Sequence, residues 1–127
     1  MPDRPLATIG WVRNGVAGGS RGVDWKEVVS RIEIDPAFVA GLEGIEEFSH
    51  IYILFLLQGE EAALLCHPRG RADLPEVGVF ASRSPHHPSP LGLTLVELLS
   101  RRGNELEVRG LDAWDGGAVL DLSLIHI

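Results

Sequence analysis

The longest apolar run in the chain is seven residues, Ile51 to Leu57 (IYILFLL), and its length constrains the fold class first. A membrane-spanning helix needs about 20 such residues, so no membrane span is expected. β-branched and aromatic side chains dominate the run, which suits a strand, and its continuity predicts burial on both faces. Elsewhere 15 Gly and 8 Pro cut the sequence into short segments. At 127 residues the chain has room for one domain with a real core, but not for separate catalytic and binding domains.

The segments around the run read mostly as strands. Leu6 to Val12 is apolar-rich and ends at the turn signal Arg13-Asn14-Gly15. Four glycines (Gly15, Gly18, Gly19, Gly22) then make a loop. In Val28 to Ile34 the apolar Ile32 and Ile34 alternate with Arg31 and Glu33, the period of a strand. Asp35-Pro36 opens a short helix running to about Leu42, with Asp35 as N-cap and Pro36 at the first helical position. Ala62 to His67, Val77 to Ser82, Leu91 to Leu99, Glu105 to Val108 and Ala118 to Asp121 read as further strands. Arg101 to Asn104 supplies a hairpin turn between two of them. Short strands, one or two short helices and frequent turns predict an all-β, mainly antiparallel fold: a small single-sheet β-barrel.

Composition narrows the function classes. Apolar residues at 45% and charged residues at 23% are ordinary for a globular domain and exclude a disordered chain. The single Cys66 forms no internal disulfide, and the start MPDRPLATIGWV carries no signal-peptide pattern, so a cytoplasmic setting is expected. A net charge of -7 argues against indiscriminate nucleic-acid binding and leaves room for a local RNA site.

The glycine loop lacks both the G-x-G-x-x-G spacing and a following Gly-Lys-Ser/Thr, so neither a dinucleotide turn nor a P-loop is predicted. Cys66-His67 and His86-His87 are adjacent pairs whose side chains diverge on a strand, and no metal site is expected. His50, at the entry to the apolar run, reads as a hydrogen-bonded structural histidine. The informative segment is Gly78 to Leu93 (GVFASRSPHHPSPLGL), where Pro85, Pro88 and Pro90 stiffen a loop carrying Arg83, His86 and His87. Such a loop holds a guanidinium and two imidazoles in place before a ligand arrives. Further on, Asp112 and Asp115 flank Ala113-Trp114; Asp115-Gly116 is also a turn signal, which makes Asp112 and Trp114 the better ligand contacts.

Four blocks in order, LATIGWVR, GLEGIEEFSHIYILF, GVFASRSPHHPSPLGLTLVEL and GLDAWDGGAVLD, span nearly the whole chain and resemble the TsaA-like (TrmO-type) family of tRNA adenine-N6 methyltransferases. The resemblance implies a small β-barrel that binds S-adenosyl-L-methionine and forms a homodimer with the cofactor near the interface. It further implies methyl transfer to the exocyclic amine of a modified adenosine in tRNA beside the anticodon. On this resemblance Arg83, Asp112, Ala113, Trp114, Asp115, Gln58 and Gly59 are the cofactor-binding candidates, and His86, His87 and Ser89 the substrate-binding ones. An aromatic amine is a poor nucleophile that must lose a proton, so His86 and His87 are both candidates for the base; alternatively they contact phosphate or hold the loop.

The chain departs from the family pattern in places. RSPHHPSPLG replaces a motif close to RS-x-x-RPNPIG, with His87 for the second Arg, Ser89 for Asn and Leu91 for Ile. Asp24-Trp25 stands where a Pro-Arg-Gln element is usual, and Gln58-Gly59 where a His-Gln pair is usual. The alternative reading is a non-catalytic S-adenosylmethionine-binding or protein-interaction module on the same barrel, favoured by the acidic charge and the lost Arg. Finally, Leu122 to Ile127 (LSLIHI) reads as the translation of a transposon end used in sequencing libraries, where the family continues with Lys-Pro-Tyr. Residues 1–121 are therefore expected to form the native domain, and 122–127 to be foreign.

Overall fold

The computed structural model describes residues 3–58, 62–67 and 71–124. Six strands close into an antiparallel barrel: β1 (Gly10–Arg13), β2 (Val29–Ile34), β3 (His50–Leu56), β6 (Leu91–Arg102), β7 (Glu105–Arg109) and β8 (Ala118–Leu124). Around the barrel the order is β1-β2-β7-β6-β3-β8, with β8 pairing back onto β1. β4 (Leu65–Cys66) and β5 (Val77–Gly78) form a separate two-stranded ribbon. Among the described residues no helix is long and apolar enough to cross a membrane.

Alternation along each strand explains the closure. Ile32 and Ile34 of β2, Ile51, Ile53 and Phe55 of β3, Val96 of β6, Leu106 and Val108 of β7 and Val119 of β8 all point inward and are buried. They fill the interior together with Val12, Leu42, Leu111 and Ala113, as a barrel of this size requires. Ser30 is the one polar residue fully buried among those described, and its Oγ accepts from Asn14 Nδ2 at 3.0 Å. β6 and β7 meet in the expected hairpin, but β6 runs on past Leu99 through Arg102 and only Gly103-Asn104 turn, with Gly103 at φ +59°, the conformation glycine adopts without steric cost. Asp35 caps the 3-10 helix Pro36–Leu42, its carboxylate accepting from Ala37 N at 2.8 Å.

The structure differs from the sequence reading in several elements. β3 is buried on its inner face alone: Tyr52 and Leu54 are half-buried on the outside and Leu56 is exposed. A closed sheet has one interior, and a continuous apolar run does not reveal that no second layer covers its outer side. The strands expected over 62–67 and 77–82 shrink to two residues each, and Val79–Ala81 turns as a 3-10 segment instead. β1 begins at Gly10 rather than Leu6, where its pairing with Ile34 and Val119 starts. β8 runs on through Leu122 to Leu124, because Leu-Ser-Leu keeps the two-residue period against Ile51 to Ile53 of β3.

Candidate functional site

The loop between β5 and β6 is built by serines and prolines in alternation. Pro85, Pro88 and Pro90 bring no N–H groups to satisfy, and hydroxyls organise the backbone between them. Ser82 Oγ donates to Val79 O at 2.9 Å and accepts from Ser84 N at 3.2 Å, and Ser84 Oγ accepts from His86 N at 3.1 Å. The carbonyl of Pro90 accepts from Leu57 N at 2.7 Å, fastening the loop to the end of β3. Arg83 Nη2 donates to Leu93 O at 3.0 Å, fastening its start to β6.

Between this loop and the barrel wall lies a cleft of about 740 Å³, within the size range of small-molecule sites. Arg83, Ser84, His87 and Ser89 line it from the loop, Phe55 and Thr94 from the barrel, and Asp112 from the segment before β8. Thr94 Oγ1 donates to Asp112 Oδ1, which orients the carboxylate. Floor and strand pairing are linked through Phe55 and Gly92, which are directly opposed; a methyl group at Gly92 would overlap the Phe55 ring.

The structure thus brings Arg83, His87, Ser89 and Asp112 into one cleft. Gln58, Ala113 and Trp114 line a smaller recess of about 30 Å³ that shares Phe55, Leu57 and Asp112 with it. Ala113 is buried in the core and Trp114 packs edge-to-face on Trp25, with ring centroids 5.4 Å apart. The Asp24-Trp25 element is therefore brought beside the recess. Gly59 lies outside the described residues. His86 is not among the cleft-lining residues; its carbonyl accepts from Ala63 N at 2.7 Å.

Asp115 serves the fold. Its Oδ1 accepts from Asn14 N at 2.8 Å and Gly15 N at 3.1 Å, clasping the turn after β1. The Asn14 N–H first, then that of Gly15, with Arg13 adding a smaller attraction, hold this carboxyl below the ordinary value of 3.8 against a slight desolvation effect.

The imidazoles of His87 and His67 are positioned by carbonyls. His87 Nε2 lies 3.1 Å from Ser82 O; a carbonyl only accepts, so Nε2 carries the hydrogen and Nδ1 is the acceptor of the neutral ring. His67 Nδ1 likewise donates to Leu74 O at 2.8 Å, and Cys66 Sγ contacts Ser82 Oγ at 3.2 Å. Among the described residues no group of three or more His, Cys, Asp or Glu could hold a metal ion. His50 contacts Ser49 Oγ through Nδ1 at 2.9 Å.

Sequence reasoning passed over Phe80, Phe55 and Thr94. Phe80 is 77% exposed at the cleft, with its ring centroid 5.9 Å from that of His87. It was hidden inside an expected strand, and the only signal was an isolated aromatic at the entrance to a proline-stiffened loop. Phe55 and Thr94 read as ordinary strand residues until register sets them beside the cleft.

The fold and cleft define a class: a closed antiparallel barrel with a cleft on its outside, between the barrel wall and a proline-stiffened loop. The comparisons narrow the class further. The tRNA-methyltransferase O N-terminal domain family matches residues 19–123, and the chain belongs to this family. It is 48% identical over 99 residues to a probable S-adenosyl-L-methionine-binding protein of Archaeoglobus fulgidus, covering 76% of this chain and 26% of that protein. It is 38% identical over 84 residues to the human tRNA (adenine(37)-N6)-methyltransferase, covering 64% of this chain and 19% of that enzyme. Among solved structures, TrmO from Pseudomonas aeruginosa superposes with a TM-score of 0.76 at 27% identity, covering 98% of this chain and 57% of that one. The chain spans about a quarter of the archaeal relative and just over half of the solved protein.

Proposed function

We propose that this domain binds S-adenosyl-L-methionine in the cleft between the Arg83 loop and Asp112 and carries methyl transfer to the exocyclic amine of an adenosine in tRNA. The observation that carries the reading is the convergence of Arg83, His87, Ser89 and Asp112 on one cleft. The donor set fits the cofactor. Arg83 uses one N–H on Leu93 O, and its remaining donors suit a carboxylate. Asp112 and the loop serines suit ammonium or hydroxyl groups, and Phe55, Leu57 and Leu91 offer an apolar wall. The names of the relatives, probable S-adenosyl-L-methionine-binding protein and tRNA (adenine(37)-N6)-methyltransferase, support the same assignment.

Bound S-adenosylmethionine supplies a methyl group on a sulfonium whose positive charge disappears as the methyl leaves. The chain's task is then to position the amine and to receive its proton. His87 suits the second role: its Nε2–H is committed to Ser82 O, and Nδ1 is free of partners among the described residues. In this reading His87 is the base, and His86 braces the loop through Ser84 and Ala63.

The reading includes a homodimer. The barrel interior is filled, so the cofactor lies outside it and needs cover. Leu91, Leu93 and Leu95 of β6 are exposed beside Leu56, Leu54 and Tyr52 of β3, a stripe that reaches the cleft through Leu91 and Leu93. A second copy covering this stripe would also close over the cleft. A tRNA substrate and the free thiol of Cys66 fit a cytoplasmic setting.

Isothermal titration with S-adenosylmethionine, followed by transfer of labelled methyl to total tRNA, tests the assignment. Binding and transfer are both expected. Binding without transfer would assign the domain instead to a non-catalytic cofactor-binding module, and no binding would refute the cleft assignment.

A further inference from the structure

Phe80 is not packed into the core of its own chain. It follows Val79, which is buried, in the 3-10 turn Val79–Ala81, and it leaves 77% of its surface in water. A phenylalanine placed this way forgoes the burial that stabilises most aromatics in a core. Its one aromatic neighbour among the described residues is His87, at 5.9 Å with the ring planes inclined by 50°. His87 is itself held to Ser82 O, and Ser82 Oγ to Val79 O, so one hydrogen-bonded turn holds the His87 ring and the backbone beside Phe80. Two inclined rings on a hydrogen-bonded turn, lining the same cleft as Arg83 and Asp112, make a platform for a flat, unpaired ring.

We propose that Phe80 is the stacking platform for the target nucleobase, which leaves its own stack and lies on the Phe80 ring with its edge toward His87. This rests on the reading that the cleft serves an RNA adenosine. An unpaired base is the occupant that this chemistry fits. Single-stranded RNA is recognised by laying bases on aromatic side chains, and such stacking tolerates an acidic protein because it needs no cation. The cofactor's own polar groups are matched by Arg83 and Asp112, which leaves the exposed aromatic for the second ligand. His87, which adjoins Phe80 and offers Nδ1 as acceptor, is then positioned for the exocyclic amine.

The test compares the intact protein with Phe80→Ala and Phe80→Tyr. Fluorescence anisotropy measures binding of an RNA hairpin carrying one loop adenosine and of the same hairpin with an abasic site there; calorimetry measures binding of S-adenosylhomocysteine. The intact protein is expected to prefer the adenosine hairpin. Phe80→Ala should weaken adenosine-hairpin binding by about 5- to 150-fold, the span found when a stacking aromatic is truncated, and erase the preference. Phe80→Tyr should retain it, and all three proteins should bind S-adenosylhomocysteine equally. If Phe80→Ala keeps the preference, the platform is refuted. If it loses S-adenosylhomocysteine instead, the ring belongs to the cofactor and the proposal is overturned. Should the intact protein itself fail to distinguish adenosine from an abasic site, the RNA-adenosine reading fails, and the platform with it.

Discussion

At the scale of single residues, Arg83 and Asp115 separate binding from architecture. Arg83 borders the cleft and spends one donor on Leu93 O, so Arg83→Ala should weaken S-adenosylmethionine binding roughly 10- to 150-fold, the value of a charge-assisted hydrogen bond lost. Calorimetry on the folded variant checks this, and an unchanged affinity would reduce Arg83 to a brace between loop and strand. Asp115 predicts a pH effect. Its carboxyl is held below 3.8 in the fold by the Asn14 and Gly15 N–H groups, so its stabilising effect is present above that value and is lost as pH falls through the lower folded value. Urea midpoints of Asp115→Ala should therefore lie below those of the parent at neutral pH, with the gap closing under acid conditions. A gap independent of pH would mean that the charge of Asp115 is not what holds the turn. The sequence exposed both roles unequally: Asp115-Gly116 is a legible turn signal, whereas nothing local announces that Asp115 reaches across to residues near the other end of the chain.

At the scale of elements, β3 and β6 decide the shape of the cleft wall. Gly92 faces Phe55 across the pairing, and its missing side chain is the space that the ring occupies. Gly92→Ala should destabilise the fold by about 1–3 kcal/mol through overpacking, and displacement of Phe55 should also lower cofactor affinity. Thermal melts together with titration check both effects; a stable variant with intact binding would show that the ring moves aside freely. Alternation in β2 and β7 was legible because their inner residues are mostly aliphatic and their outer ones mostly charged. The run in β3 was misread for the opposite reason, since its outer face is apolar too. The short ribbon β4–β5 was overextended because local β-propensity does not report where pairing partners stop. At β8 any alternating triplet satisfies the β3 edge, so the pairing of Leu122 to Leu124 is indifferent to its origin. We propose that LSLIHI is foreign, and recovery of the locus with an adapter-free library should show a different sequence after Asp121.

At the scale of the whole molecule, the leucine stripe governs assembly. Leu95 belongs to the stripe without lining the cleft, so Leu95→Glu should shift the proposed dimer to monomer and weaken cofactor binding only if the site is shared. Light scattering over a concentration series, paired with titration, measures both; a monomeric parent that binds at full affinity would eliminate the shared site. The ring order has a different kind of consequence. Its seam joins β1 to β8 through Gly10 with Val119 and Trp11 with Ala118, the first and last of the barrel's strands in sequence. Ile9 N to Val119 O and Gly116 N to Val12 O, at 2.8 and 2.7 Å, reinforce the same seam. During vectorial synthesis on a ribosome β1 emerges long before its second neighbour exists, and the interior cannot be sealed until β8 is released. The nascent domain must therefore wait, partly wet inside, for its final strand, and its folding carries the loop-closure delay of a high-contact-order topology.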